Sequence, residues 1–313
     1  MPAPTTYTKP LTPEQAAKLR GVLAGNNFEF ETKPYCLYAG TKPGVNVLVY
    51  EKGPKVVVQG KGTEDFVTFL LEPLILGKAE LGYEEENNPE MFQPHIGVDE
   101  SGKGDFFGPL VIAGVYVDRD IAHSLRNAGV MDSKRITSDA RIQTLAKIIR
   151  NTPGIAFEVI SIGPERYNEL YGRFRNLNRL LAWGHAKVIE NLLEKRPACP
   201  QALSDQFANP SVLQRALGEK ARTIQLVQRT KAESDPAVAA ASILARERFV
   251  NWLSETGQRL GFPLPKGASA EVKTVARNLV TSHGRESLGK TAKLHFKTAG
   301  EVLDSIHIDS PDA

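Results

Sequence analysis

Cysteine is nearly missing from this chain of 313 residues, which has only Cys36 and Cys199, far apart and outside any CxxC spacing. That argues against a disulfide framework or a structural zinc site and fits a reducing compartment. Long apolar runs are missing too. No stretch of about 18 apolar residues occurs, so no membrane span is expected. The opening MPAPTTYTKPLTPEQ has no apolar core of the secretory kind, which makes a cytoplasmic location the expectation. Neither sign of charge dominates: Lys+Arg number 39 and Asp+Glu 36, a net charge of +3, too small to identify a partner. Only residues 261–297 are locally basic, with seven Lys/Arg against Glu271 and Glu286. Such a patch suits a phosphate backbone or, equally, a solvated helical face.

What is present is ordinary for a soluble globular protein, with 41% hydrophobic and 24% charged residues and enough length for two domains. Residues 1–10, rich in Pro and Thr, are expected to fray. Thr12-Pro13-Glu14-Gln15 then combines a cap, a first-turn proline and a capping-box glutamine, predicting a helix to about Asn26. Strand-like runs follow at 27–31, 35–38, 45–50 and 55–59, separated by turn signals such as Lys42-Pro43-Gly44. Thr63 opens a second helix with Phe66, Phe69 and Leu70 on one face. Residues 1–83 thus form a complete small α+β unit. The acidic, Asn-rich segment 84–94, bounded by prolines, is expected to be a linker. The remainder, 95–313, reads as an α/β domain. Its predicted strands are 95–99, 110–117, 155–162, 201–204 and 223–227. Helices are expected after Ser138, through 164–195, from Asp235-Pro236 through an alanine-rich run, over 271–280 and over 292–303.

The chemistry gathers around HIGVDESGKGDFFGPLVIAGVYV, residues 95–117. Asp99 and Glu100 stand at the end of a predicted strand, directly before Gly102-Lys103-Gly104. Unpaired carboxylates at the end of a buried strand are costly. Asp205 ends another predicted strand and Asp235 begins a helix. Each has an ordinary explanation alone; Asp235 before Pro236 is a typical N-cap. In an α/β domain, however, such ends converge on one sheet edge where ligands bind. Four carboxylates there repel one another unless a hard divalent cation, Mg²⁺ or Mn²⁺, lies among them. Two such ions can activate a water and stabilise the leaving oxygen of a phosphodiester. The reading has a local condition. Strand neighbours point to opposite faces, so Asp99 and Glu100 share a site only if the chain turns at Glu100.

The strings DESGKGDFFGPL, SDQFA and KAESDPAVAAASILAR, with Asp132-Ser133-Lys134, LPKGA and AKLHFK, resemble the type 2 ribonucleases H. The likeness is to bacterial ribonuclease HIII, whose loop is glycine–lysine–glycine where ribonuclease HII has glycine–arginine–glycine. The resemblance implies a ribonuclease H-like fold, a mixed five-stranded central sheet with helices on both sides. It also implies a small N-terminal α+β domain similar to half of a TATA-binding protein, used to grip substrate. The implied activity is two-metal hydrolysis of the RNA strand of an RNA–DNA hybrid, leaving 5′-phosphate and 3′-hydroxyl ends. Asp99, Glu100, Asp205 and Asp235 would be the metal-binding catalytic acids, with Asp99 bridging. Ser101, Gly102, Lys103 and Gly104 would contact the nucleic acid. Glycine lets backbone amides approach sugar and phosphate closely, and the 2′-hydroxyl separates RNA from DNA. Tyr35, Tyr38, Lys42, Lys55 and Lys61 are possible grips in the N-terminal domain, although aromatics in such strands are more often core.

Ribonuclease HII cuts at single ribonucleotides with the help of a tyrosine. KLHFK offers none, so runs of ribonucleotides are expected to be preferred. A monomer without nucleotide cofactor is expected. Gly284–Thr291, GRESLGKT, matches a phosphate-loop pattern letter for letter, but the sequence before it has helical rather than strand spacing. Asp105 is left structural, and His283 and His295 are read as either structural or supporting the site residues from behind. Two other readings remain: a DNA nuclease on the same fold, and a hybrid-binding protein without catalysis.

Overall fold

The computed structural model describes residues 5–77, 84–130, 133, 136, 138–230 and 232–308. The chain divides into two compact units, Met1–Glu90 and Met91–Ala313.

The first unit is a five-stranded antiparallel sheet in the order β1-β5-β4-β3-β2. Its strands are β1 (Thr6–Pro10), β2 (Glu29–Glu31), β3 (Cys36–Lys42), β4 (Val45–Tyr50) and β5 (Lys55–Gln59). Residues 6–10, expected to fray, instead pair along the whole of β5. Helix α1 (Pro13–Gly25) begins with the full capping box of Thr12 and Gln15 and packs Leu19 and Leu23 into the sheet. Helix α2 (Thr63–Phe66) continues as a π-helix, Val67–Leu76. The wider winding buries Phe66, Val67 and Leu71 but turns Phe69 outward, 71% exposed, against the expected apolar face. Tyr38 is core, its hydroxyl donating to the Ala16 carbonyl, whereas Tyr35 stands 83% exposed.

The segment expected as a linker, 84–94, contains α3 (Glu84–Asn87) and a 3₁₀ turn, Pro89–Phe92. Met91 and Phe92 are buried in the second unit's core, which is why that unit starts there.

The second unit is built on a mixed five-stranded sheet, order β10-β9-β6-β7-β8. Strands β6 (His95–Ser101), β7 (Leu110–Val117) and β8 (Ala156–Ile162) are antiparallel neighbours; β9 (Gln201–Asp205) and β10 (Gln225–Arg229) run parallel to β6. Alternation sorts the two faces. Ile96, Val98, Leu110 and Ile112 meet helix α7, and Val111, Ala113 and Val115 meet helix α9. Before β8, the chain forms α4 (Arg119–Asn127) and α5 (Asp139–Asn151). Then come α6 (Pro164–Phe174) and α7 (Leu177–Lys195). Arg175, at φ 49°, breaks what the periodicity reads as one helix. Helix α8 (Pro210–Ala216) lies between β9 and β10, and α9 (Pro236–Leu260) follows β10. The alanines of α9 and the missing side chain of Gly97 let the helix lie directly on the sheet. A Cβ at Gly97 would stand 2.3 Å from the Val238 nitrogen. The chain closes with α10 (Ala270–His283), α11 (Glu286–Thr291) and α12 (Lys297–Ile308), a boundary later than the 292–303 expected. Among the described residues, no helix is long and apolar enough to cross a membrane.

Candidate active site

Strand β6 remains regular through Ser101, which pairs with Val111, so the chain does not turn at Glu100 as the shared-site reading required. It turns two residues later, at Gly102, φ 87°. Only glycine fits there, because a Cβ would meet the Pro109 carbonyl oxygen at 2.2 Å. Asp99 and Glu100 therefore leave the strand on opposite faces. The Glu100 amide donates to Asp99 Oδ1 at 2.8 Å, which holds the Asp99 carboxylate at the strand end.

Register supplies the third acid. Val98 is opposite Ser204 in the parallel β6–β9 pair, so Asp99 and Asp205 leave neighbouring strands side by side. Such strands are about 4.8 Å apart. Asp205 accepts the Ala232 amide at 3.4 Å, from a 3₁₀ turn spanning Ala232–Ser234. Glu233, half-buried, follows Ala232 in that turn.

Glu100 points to the α7 face. Its Oε2 is 3.1 Å from Nε2 of the fully buried His185, and its Oε1 is 3.4 Å from Lys103 Nζ. Burial pushes the Glu100 carboxyl upward, but the hydrogen bond and charge of His185, followed by Lys103, outweigh it and hold the group below the usual carboxylate range. His185 Nδ1 meets Ser204 Oγ at 3.0 Å, and that hydroxyl donates to the Asp205 carbonyl at 3.0 Å. A buried chain of contacts thus links Glu100 to the end of β9. Phe207, on the loop leaving β9, packs against His185 at 4.8 Å, with Lys103 Nζ 5.7 Å from its ring.

Asp235 is held at the start of α9. Its Oδ1 accepts the Ala237 and Val238 amides at 2.8 and 3.2 Å, capping α9, and also meets His95 Nε2 at 3.0 Å. His95 is the first residue of β6, four positions before Asp99, or about 13 Å along the strand at the usual rise. His95 Nδ1 meets the Gln93 carbonyl at 2.7 Å. Burial alone lowers the His95 pKa, yet Asp235 and the Gln93 carbonyl together raise it above the ordinary value, against the nearby Arg229 charge. Asp235 thus serves as the N-cap of α9, and its own amide donates to the carbonyl of Ala232, the residue whose amide meets Asp205. KAESDPA holds Glu233 and Asp235 two residues apart, and only the β10–α9 turn distinguishes them.

The loop after the glycines is fastened from the C-terminal segment. Lys293, fully buried, donates to the carbonyls of Asp105 at 2.9 Å and Gly108 at 2.7 Å. Asp105 Oδ1 accepts the Gly267 amide at 2.6 Å, which gives this acid its structural role. Burial pushes the Lys293 amine down to about 7, opposed by the Asp105 charge. The sequence pattern hid this residue among surface lysines. Lys266 and Lys273 are engaged too, with Asp139 and Glu301, so the basic stretch 261–297 is not one free face. GRESLGKT follows helix α10 and forms α11, so it lacks the strand a phosphate loop needs. His295 stacks on Tyr171 at 4.3 Å with Tyr167 beside it, so α6 brings tyrosines to the segment where KLHFK has none. His283 packs edge-on to Phe262. Asp132 and Lys134 lie outside the described residues.

The carboxylates supply only hard oxygen donors, the chemistry that suits Mg²⁺ or Mn²⁺. Among the described residues, no three His, Cys, Asp or Glu side chains stand close enough to hold a metal as they are.

A mixed five-stranded sheet with helices on both faces and acids at the ends of adjacent parallel strands defines a ribonuclease H-like nuclease. The family model described as Ribonuclease HII matches residues 96–299. Ribonuclease HIII of Chlamydia caviae is 44% identical over 303 residues, 96% of this chain and 98% of that protein. Ribonuclease HIII of Chlamydia trachomatis serovar D is 44% identical over 304 residues, 96% and 99% of the two chains. Among solved structures, Bst-RNase HIII in complex with Mn²⁺ superposes with a TM-score of 0.67 at 28% identity, covering 96% of this chain and 98% of that one. Aquifex aeolicus RNase H3 gives 0.54 at 30% identity, covering 93% and 100%. The chain belongs to the ribonuclease HIII family, and it is a ribonuclease H enzyme.

Proposed function

We propose that this enzyme hydrolyses the RNA strand of RNA–DNA hybrids with Mg²⁺ or Mn²⁺, leaving 5′-phosphate and 3′-hydroxyl ends and preferring runs of ribonucleotides. The observation that carries this reading is the β6–β9 register, which sets Asp99 and Asp205 side by side next to the Gly102 turn. Asp99, Glu100 and Asp205 are the acids that would hold the cations, with Glu233 in place of Asp235 as the fourth. When bound, one or two such ions supply Lewis-acid stabilisation and an activated water. The protein's own share is positioning. His185 and Lys103 keep Glu100 ionised and oriented. Ser101, Gly102, Lys103 and Gly104 line the approach to the acids; Gly104 has open space where a side chain would be, so its backbone can lie against a ribose. Residues 1–83 are the substrate-gripping module in this reading, and exposed Tyr35 is its foremost aromatic. The TATA-binding-protein likeness and the two-ion stoichiometry belong to the same proposal.

Glu233→Gln and Asp235→Asn separate the two candidates for the fourth acid. Glu233→Gln is expected to lose hybrid cleavage and weaken Mn²⁺ binding by calorimetry, with thermal stability unchanged. Asp235→Asn is expected to lower thermal stability and retain Mn²⁺ binding. The reverse pattern returns Asp235 to the site. Assaying a hybrid beside a duplex with one embedded ribonucleotide tests the preference for runs.

A further inference from the structure

A cavity of about 530 Å³ opens between α7, α8 and the loop leaving β9. Its size suits a single nucleotide. Phe174 and Trp183 form an aromatic wall, ring centroids 6.3 Å apart, and Trp183 remains 37% exposed. Arg179 and Arg215 bring two guanidiniums, and among the described residues no acid lines the cavity. Arg215 is spent in part on Ser211, its Nε and guanidinium donating to the Ser211 carbonyl and Oγ at 3.0 Å. Arg179 is exposed and makes no ion pair among the described residues.

The cavity adjoins elements that also carry the active site. Ala208 and Asn209 of its lining lie three and four residues beyond Asp205, and Trp183 lies two residues before His185 on α7. An aromatic face takes a base by stacking, and a guanidinium takes the adjoining phosphate. A base inside a duplex has no free face, so stacking in a cavity requires an unpaired nucleotide.

We propose that this cavity binds one unpaired nucleotide next to the hybrid, its base on Trp183 and its phosphate at Arg179. The enzyme would thereby favour hybrids that carry a single-stranded tail. This rests on the hybrid-cleaving reading of the active site, and the occupant follows from the pairing of an aromatic wall with unopposed positive charge.

The test compares a blunt RNA–DNA hybrid with hybrids carrying a four-nucleotide tail on the RNA or on the DNA strand, at either end. Dissociation constants are measured on Asp205→Asn protein and KM on the active enzyme. At least one tailed hybrid should bind about tenfold more tightly than the blunt one, and the placement of that tail identifies the strand held. Trp183→Ala and the exposed Arg179→Glu should each remove this advantage while leaving kcat on the blunt hybrid unchanged. With Trp252→Phe as background, Trp183 fluorescence should be quenched by the preferred tailed hybrid and not by the blunt one. Equal affinity for blunt and all tailed hybrids, or a tail advantage that survives both substitutions, overturns the proposal. Failure of the wild-type protein to cut any hybrid counts instead against the active-site reading, because the binding arm does not depend on cleavage.

Discussion

Lys293 illustrates how one side chain can set a loop. Its ammonium is enclosed by backbone carbonyls of the segment that follows the Gly-Lys-Gly turn. Its pKa is about 7 in the folded protein, below the 10.5 of an unburied lysine. The unfolded chain therefore binds more protons than the folded one between these values, so this group makes stability rise as pH increases from about 7 toward 10. Below pH 7 both states are protonated and the full cost of burial remains. Lys293→Met should flatten that part of the stability–pH profile, measured by urea denaturation, and raise KM for hybrid by loosening the loop. A mutant slope equal to wild type would assign the pH dependence elsewhere. At Gly102, alanine must adopt φ 87° and meet the Pro109 carbonyl. Gly102→Ala should lower stability by roughly 1–3 kcal/mol and reduce cleavage sharply; unchanged kcat/KM would show that the turn does not shape the site.

Helix α9 organises the second unit at the scale of elements. It starts on an Asp235 cap, crosses Gly97 at backbone distance and lines the core with alanines. Gly97→Ala forces the helix off the sheet and should cost roughly 1–3 kcal/mol, measured as a fall in denaturation midpoint. Asp235→Ala removes the cap, worth about 1 kcal/mol, and leaves buried His95 without its partner, so its loss should exceed that of Asp235→Asn. Much at this scale was legible in the sequence. Capping signals placed α1, α5 and α9, and apolar alternation placed β4, β6 and β7. What was not legible depends on distant partners. Strand β1 exists because β5 offers it an edge, and a Pro/Thr-rich segment carries no sign of that. Nothing near Asp235 in sequence shows that His95, 140 residues away, is its partner. Nor does the sequence show that the Ala232 amide, next to Glu233, meets Asp205. Local pattern fixes element type, whereas the destination of a carboxylate depends on register.

Each of the two units of the whole molecule has its own sheet and its own buried core. Residues 91–313 contain every acid of the proposed site, so this fragment should still cut hybrid, with a higher KM and little change in kcat if the first unit serves to grip substrate. A fragment with wild-type KM would remove that role.

The central claim is that acids at the ends of β6 and β9 act on the RNA strand of a hybrid. Product analysis on matched RNA–DNA, RNA–RNA and DNA–DNA duplexes in Mg²⁺ or Mn²⁺, run with wild-type protein and Asp205→Asn, tests it most directly. The account predicts cleavage of the RNA strand of the hybrid alone, with 5′-phosphate ends, abolished in Asp205→Asn at unchanged melting temperature. Equal cutting of the all-DNA duplex, or near wild-type cleavage by Asp205→Asn, would contradict it.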